Sequence, residues 1–325
     1  MDKVDTQSPH TFKSTDQRVT RRGFLGLSVK GVAALTVGGL GLGGIEEFIR
    51  NNPTIIDQAL ITLAVDSGEF TANRIGPIKN LSDIANKKTK ELSNNPNIHA
   101  SHILIADRDT NEVQDITNGQ VKPDFPVTSL AKVPVCIRAW EKGQITGKEY
   151  LTDDLAMSIL KYSSNEKFIK LADNLPHDQN DTPEITVRKI LSEIGIEPKN
   201  TQGKLPLRID IHDFLTYMRK KQDLPEITKK AMKLVRKSAY ENFGVNKVVT
   251  NILNKKDNPP AMYFKIGLID TEITEDSTEQ DFFCSYYARC DGVDIVGYSR
   301  GNIYDTYKEM LSTLAMVSIY IVGKN

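Results

Sequence analysis

The chain has 325 residues, of which 39% are hydrophobic and 26% are charged, as in an ordinary globular protein with a sizeable core. Its 42 basic and 42 acidic side chains cancel and form no basic block with interleaved aromatic residues, so the composition gives no sign of a nucleic-acid partner. Three cysteines are too few for a disulfide scaffold, and we expect them to be buried thiols.

The N-terminal segment has the pattern of an export signal. After a polar stretch, Arg21 and Arg22 stand just before Phe24 and a weakly hydrophobic region rich in glycine and alanine. Paired arginines in this position are typical of a twin-arginine (Tat) signal, and the many glycines make the region poorly apolar for a membrane anchor of about 20 residues. We therefore expect 1–44 to direct export by the Tat machinery to the periplasm or cell envelope. The chain would then touch the membrane only through an uncleaved signal.

A regular pattern of helices and strands follows a lead-in segment, 45–80. The predicted elements are a helix at Leu81–Leu92, strands at His102–Asp107 and Glu112–Ile116, a helix that begins near Ser129, helices at Leu151–Lys161, Glu166–Leu175, Ile185–Ile194, Ile209–Lys220 and Pro225–Lys237, strands at Met262–Leu268, Asp281–Cys290 and Val293–Tyr298, and a last helix at Tyr304–Val322. This order predicts an α+β domain, 81–325, with a three-layer α/β/α sandwich. Both ends of the domain would build one antiparallel sheet, and an all-helical lobe, about residues 140–255, would be inserted between them.

The stretch FPVTSLAKVPV, which begins at Phe125, carries a serine and a lysine three residues apart. Pro126 favours an extended approach, and apolar residues recur at helical spacing from Leu130 onward. We therefore expect Ser129 at the start of a buried helix, with Lys132 one turn later on the same face. Backbone N–H groups and the positive end of the helix dipole would lie beside the serine, and a buried lysine can take the proton of its hydroxyl.

Ser-x-x-Lys is a weak pattern by itself. It recurs at Ser158/Lys161 and Ser164/Lys167, and most such pairs are a helix surface with a solvated lysine. Only the Ser129 pair follows a predicted β-hairpin directly, and this context favours it as the reactive pair.

Two later motifs occur in a fixed order with it. Tyr162-Ser163-Ser164-Asn165 lies between predicted helices, and Tyr263-Phe264-Lys265-Ile266-Gly267 lies on a predicted strand. The three motifs and the order of elements resemble the penicillin-recognising serine hydrolases (the β-lactamase and DD-peptidase superfamily), in particular the class A β-lactamases. That family carries Ser-x-x-Lys, Ser-Asp-Asn and Lys-Thr/Ser-Gly. The resemblance runs from Leu81 to the C-terminus.

The resemblance implies a role for each matching residue. Ser129 would be the nucleophile, Lys132 its base, and Ser163 the relay of a proton to the leaving nitrogen. Substrate would be bound and oriented by Asn165, Lys265 and Gly267. The N–H groups of Ser129 and Leu268 would form the oxyanion hole.

Two departures from the family pattern separate the functional hypotheses. Ile266 replaces the hydroxyl residue that in the family helps to bind the substrate's carboxylate. The loop that in class A enzymes carries the deacylating glutamate is short here, and Glu197 is the candidate for this base. The three hypotheses are a slowly deacylating, DD-peptidase-like hydrolase of D-alanyl peptidoglycan peptides and β-lactams, a true β-lactamase that uses Glu197, and an envelope binding protein that has lost turnover.

The sequence predicts neither a metal site nor a cofactor. His99 and His102 form a His-x-x-His pair, but no cluster of carboxylates or cysteines accompanies them in the sequence.

Overall fold

The computed structural model describes residues 61–119, 124–126, 128–178, 180–199, 207–234, 243–270 and 282–324. The expected export signal, 1–44, and residues 45–60 of the lead-in segment lie outside this part of the chain. All described residues belong to one compact unit, Leu60–Asn325.

The predicted succession of helices and strands is present, with additions. The α-helices that begin and end within the described residues are α1 (Ala72–Ile75), α2 (Leu81–Ser93), α3 (Lys132–Thr146), α4 (Asp153–Ala156), α5 (Asn165–Asn174), α6 (Pro183–Glu193), α7 (Ile211–Lys220), α8 (Glu226–Met232), α9 (Phe243–Leu253) and α10 (Ile303–Gly323). The strands are β1 (Ile98–Asp107), β2 (Val113–Gly119), β3 (Asp124–Pro126), β4 (Arg208–Asp210), β5 (Tyr263–Asp270), β6 (Phe282–Cys290) and β7 (Val293–Gly301). A 3₁₀ turn, Thr128–Ala131, leads into α3, and a π-helical turn, Met157–Lys161, follows α4.

Five strands form one antiparallel sheet in the order β2-β1-β7-β6-β5. Two of them precede the helical lobe in the chain and three follow it, and the two groups meet where β1 pairs with β7. For example, Ile105 lies opposite Ile295. The predicted fold class, with a sheet built from both ends of the domain, is therefore confirmed.

Both faces of the sheet are covered, which makes the three layers. Along β1, Ile103 and Ile105 belong to a core that also includes residues of α2, α9 and α10. Leu104 and Ala106, which alternate with them, belong to a second core formed with α3 and the helical lobe. Because successive side chains of a strand point to opposite faces, a continuous apolar run such as Ile103–Ala106 is what a doubly covered strand requires.

Several predicted boundaries were wrong for local reasons. The helix expected at Leu151–Lys161 is divided into α4 and the π-helical turn. The helix expected at Ile209–Lys220 begins only at Ile211, because 208–210 pair with β3 in a two-stranded ribbon that was not predicted. Asp210 then caps α7 by accepting a hydrogen bond from the N–H of His212 at 2.8 Å. Helix α9 was also missed.

The three cysteines are Cys136, Cys284 and Cys290, and each is a buried thiol without a disulfide, as expected. Burial raises the pKa of all three thiols. None of the helices in the described ranges combines the length and the hydropathy that crossing a membrane would require.

Candidate active site

Ser129 lies in the 3₁₀ turn between strand β3 and helix α3. Before Ser129 the chain is extended in strand β3. The two residues after Ser129, Leu130 and Ala131, are buried in the core of the helical lobe. Ser129 itself is only partly buried. The helix was expected to begin at the serine, but the regular α-helix begins at Lys132. Buried neighbours therefore hold the backbone at Ser129, while the serine itself stays partly exposed.

Lys132 is the centre of a hydrogen-bond network. Its side chain belongs to the first turn of α3, and the residue is only 3% exposed. Its Nζ donates to Oδ1 of Asn165 and to the backbone carbonyl of Ser163, both at 2.7 Å. Longer contacts of 3.3 Å join the same Nζ to Oγ of Ser129 and to Oγ of Ser163. The amine is therefore held within reach of the nucleophile by two residues of the second motif.

Ser163 stands between the nucleophile and a second buried amine. Its Oγ donates to Oγ of Ser129 at 2.8 Å, and it accepts from Nζ of Lys265 at 2.9 Å. The backbone of Ser163 has a φ of 56°, in the left-handed region that non-glycine residues rarely adopt. The next residue, Ser164, caps α5 by accepting from the N–H of Lys167 at 3.2 Å. Ser163 therefore directs its hydroxyl toward Ser129, and Ser164 caps the helix that follows.

Lys265 reaches the site from the sheet. It lies on β5, is 3% exposed, and also donates to the carbonyl of Ile266 at 3.0 Å. Strand β5 is an edge strand of the five-stranded sheet and packs beside the 3₁₀ turn. The amines of Lys132 and Lys265 therefore converge on one hydroxyl, Oγ of Ser163, from two layers of the fold.

Gly267 and Leu268 follow Lys265 on the same strand. Gly267 pairs with Ser285, whose hydroxyl donates to its carbonyl at 3.2 Å, and Leu268 pairs with Cys284. Leu268 is 43% exposed. The residue proposed for the oxyanion hole is thus on an accessible stretch of the strand that adjoins the serine.

Ile266 does not share the face of Lys265. It is 6% exposed and belongs to the core that includes α10, opposite Tyr286 of β6. The alternation of the strand accounts for this placement. The residue that departs from the family's third motif therefore contributes to packing.

The carboxylates considered from the sequence lie in other surroundings. Glu197 is exposed on the loop after α6, and its carboxylate accepts from Oγ of Ser192 at 3.0 Å. Glu166, beside Asn165, is also exposed and is paired with Lys170 at 2.8 Å. The hydrogen bond and charge of that lysine lower the pKa of Glu166. The hydrogen bonds described for the two carboxylates are thus made with Ser192 and Lys170, outside the network of Ser129, Lys132 and Ser163.

Sequence reasoning missed an aromatic neighbour of the site. The ring centroid of Phe168 lies 5.9 Å from Nζ of Lys132, in the range of a cation–π contact. Phe168 is partly buried and packs against the core of the helical lobe. Its position three residues after Asn165 on α5 was the available signal, since residues i and i+3 share a helix face.

Comparison with known proteins gives a likeness of fold. No protein-family model matches the sequence, and no curated protein does. The solved structure of the TLA-1 extended-spectrum β-lactamase matches with a TM-score of 0.51 at 11% identity, over 74% of this chain and 99% of that one. A β-lactamase from Xanthomonas campestris matches with a TM-score of 0.46 at 12% identity, over 75% and 99% of the two chains. The transpeptidase domain of a D,D-transpeptidase from Legionella pneumophila matches with a TM-score of 0.44 at 12% identity, over 72% and 94%. The likeness to TLA-1 shows a β-lactamase-like fold, and a shared fold alone does not establish a function.

Proposed function

We propose that this chain is an exported serine hydrolase of the class A β-lactamase-like kind. Ser129 forms an acyl-enzyme with β-lactams or with D-alanyl peptides of peptidoglycan, and release of the acyl group is slow. The observation that carries the proposal is the 2.8 Å hydrogen bond between Oγ of Ser163 and Oγ of Ser129, with Nζ of Lys132 at 3.3 Å from both hydroxyls and Nζ of Lys265 at 2.9 Å from that of Ser163.

The contacts support a complete acylation step. Oγ of Ser129 attacks the carbonyl carbon of an amide or lactam and gives its proton to the neutral amine of Lys132. Two ammonium groups that share the hydroxyl of Ser163 repel each other, which favours the loss of a proton from one of them. As the C–N bond breaks, Ser163 protonates the leaving nitrogen and regains a proton from the adjacent amines. The product is an ester on Ser129.

The surrounding residues fit the remaining needs of that reaction. Asn165 holds Lys132 and leaves its amide NH₂ for a substrate carbonyl. Lys265 brings a positive charge for a substrate carboxylate, beside Gly267. The N–H groups of Ser129 and Leu268 are the proposed oxyanion donors, and such a donor is typically worth about 3 kcal/mol in the transition state.

Slow release is supported by the position of Glu197. Hydrolysis of the ester needs a water held by a base close to the carbonyl carbon, and a positioned base contributes roughly 10²–10⁴-fold. The carboxylate of Glu197 is exposed and is engaged by Ser192 at 3.0 Å. We therefore favour a DD-peptidase-like enzyme over a β-lactamase that uses Glu197.

Export by the Tat route is the second part of the proposal. Arg21, Arg22 and the glycine-rich region after them support it, and so do the three cysteines, which are buried as thiols and need no oxidising folding compartment. The enzyme would then meet peptidoglycan in the periplasm or cell envelope.

Intact-protein mass spectrometry after mixing with benzylpenicillin tests the proposal. We expect a stable adduct of one penicillin in the natural chain and none in Ser129→Ala. Unmodified protein with hydrolysed penicillin in solution would indicate a β-lactamase instead. Unmodified protein with intact penicillin would indicate a binding protein without turnover.

A further inference from the structure

Two histidines and an aspartate meet beside the middle of strand β1, on the hairpin that it forms with β2. His102 is on β1, Asp115 is on β2, and His212 is in the first turn of α7. His102 pairs with Thr117, so Asp115, two residues away on β2, is its diagonal neighbour on the same face of the hairpin. The β3–β4 ribbon, which was absent from the sequence prediction, brings the start of α7 to this face.

The possible ligand atoms of the three side chains lie close to one another. Nε2 of His102 lies 2.9 Å from Oδ1 of Asp115, and Nε2 of His212 lies 3.3 Å from Oδ2 of the same carboxylate. One ligand atom from each residue lies within 4.8 Å of the others. The two imidazole rings are 5.4 Å apart and meet edge to face.

This set of donors has the composition that a borderline divalent metal ion prefers. Two imidazole nitrogens and one carboxylate oxygen suit Zn²⁺ and similar transition metals, whereas Ca²⁺ and Mg²⁺ prefer all-oxygen sites. Asp210, which caps the same helix through the N–H of His212, interacts electrostatically with His102 and adds a second negative charge nearby. The charge of the surroundings therefore favours a cation.

Packing holds one of the ligands in place. His102 is 4% exposed, and its buried Nδ1 has no hydrogen-bond partner in the part of the chain that the structure describes. Its ring is therefore oriented through Nε2, toward Asp115, with the ring of Tyr298 edge-on at 6.2 Å. Asp115 and His212 are about half exposed, which leaves an approach from solvent for an ion.

We propose that His102, Asp115 and His212 bind one divalent metal ion of the zinc type, with a fourth position open to water. The ion joins the β1–β2 hairpin to the start of α7. The site is also linked to the nucleophile by packing. Tyr298 stacks on Phe125 at 5.2 Å, and Phe125 is in the strand that leads to Ser129. This inference does not depend on the proposed reaction.

Metal titration of the untagged, chelator-treated protein tests the site. We expect isothermal titration with ZnSO₄ to show one equivalent of tight binding and the unfolding temperature to rise with added zinc. Substitution with CoCl₂ should give visible absorption bands of a four-coordinate nitrogen and oxygen site. Loss of a residue that only hydrogen-bonds to a metal ligand lowers metal affinity by roughly 10–100-fold. His212→Ala and Asp115→Asn change ligands themselves, so each should weaken zinc binding by more than that.

His177→Ala is the matched control, because it removes an exposed imidazole from the helical lobe. It should keep full zinc affinity. The proposal is overturned if the natural chain binds zinc no better than His212→Ala, or if His177→Ala weakens binding as much. Asp115→Asn keeps the size of an exposed side chain, so it decides the matter if His212→Ala does not fold. A cluster held only by hydrogen bonds would show no zinc-dependent rise in unfolding temperature.

Discussion

The buried amine of Lys132 donates to the main-chain carbonyl of Ser163 at 2.7 Å, so one side chain of the first motif fixes the backbone of the second. That backbone has a φ of 56°, a conformation that costs a non-glycine residue about 1–2 kcal/mol. The strain is located where the hydroxyl must be aimed at Ser129. The geometry of the candidate active site is therefore held by the same contacts that its chemistry uses.

The first prediction concerns the nucleophile. Ser129→Ala should abolish covalent labelling by a fluorescent penicillin, because it removes the hydroxyl that Lys132 and Ser163 contact. Ser158→Ala and Ser164→Ala carry the same change at the other two Ser-x-x-Lys positions and should still be labelled. Ser164→Ala removes a helix cap and should lower the free energy of unfolding by about 1 kcal/mol. Labelling of Ser129→Ala would assign the reaction to another residue.

The second prediction separates the strain at Ser163 from its chemistry. Ser163→Ala and Ser163→Gly both remove the hydroxyl, so both should slow acylation by roughly 10²–10⁴-fold. Glycine adopts a positive φ without cost, so Ser163→Gly should be more stable than Ser163→Ala by about 1 kcal/mol. Stopped-flow acylation and urea unfolding measure the two effects. Equal stability of the variants would show that the left-handed backbone is not strained.

The third prediction concerns release of the acyl group. After mixing with a chromogenic cephalosporin, the natural chain should show a burst of one equivalent followed by slow turnover, on a scale of minutes or longer. Glu197→Gln should change the slow phase little, since the carboxylate is exposed and bound to Ser192. Rapid multiple turnover that collapses in Glu197→Gln would make this protein a working β-lactamase.

The fourth prediction concerns export. Replacement of both Arg21 and Arg22 by lysine should trap the precursor in the cytoplasm, because the Tat pathway recognises the arginine pair itself. Replacement of Lys30 by arginine, which keeps the charge of the same segment, is the control and should leave export intact. Cell fractionation followed by immunoblotting measures both. Normal export of the double variant would contradict the Tat assignment.

The fifth prediction concerns a buried ion pair between α2 and α10. Lys88 and Glu309 are each at most 1% exposed, and their charged atoms are 3.3 Å apart. Burial alone would lower the pKa of Lys88, but the carboxylates of Glu309 and Glu91 outweigh it and the pKa is raised. Lys88→Met leaves Glu309 buried without this cation and should lower the free energy of unfolding by about 3–5 kcal/mol.

Adding Glu309→Gln to Lys88→Met should restore part of that loss, because it removes the uncompensated charge. Lys90→Met, an exposed position on the same helix, should have little effect on urea unfolding. If the double variant is less stable than Lys88→Met, then the hydrogen bonds of Glu309 matter more than its charge.

The fold could be predicted from the sequence because it depends on patterns within single helices and strands and on the order of those elements along the chain. The apolar run of β1 predicted a strand, and the succession of elements predicted a sheet with an inserted helical lobe. The ribbon of β3 and β4 could not be predicted, since each strand has only three residues and their pairing depends on contacts distant in the chain.

In the candidate site, too, some features could be predicted from the sequence and others could not. Ser129, Lys132, Ser163, Asn165 and Lys265 could be chosen from three motifs, and the structure brings them together. The 3₁₀ turn at Ser129 and the left-handed backbone of Ser163 have no signature in the side-chain types. His212 could not be joined to His102 from the sequence either, because β4 and α7 bring it there through the ribbon.

The pairing of β1 with β7 has a consequence for the time at which the chain can fold. These central strands lie near opposite ends of the domain, so the middle of the sheet cannot form until nearly all of the domain has left the ribosome. Closing so long a loop makes folding slow and leaves β1, with its run of apolar residues, exposed in the meantime. A signal that delays transport until the sheet has closed would protect such a chain, whereas threading it unfolded from its N-terminus would separate the two strands that must meet.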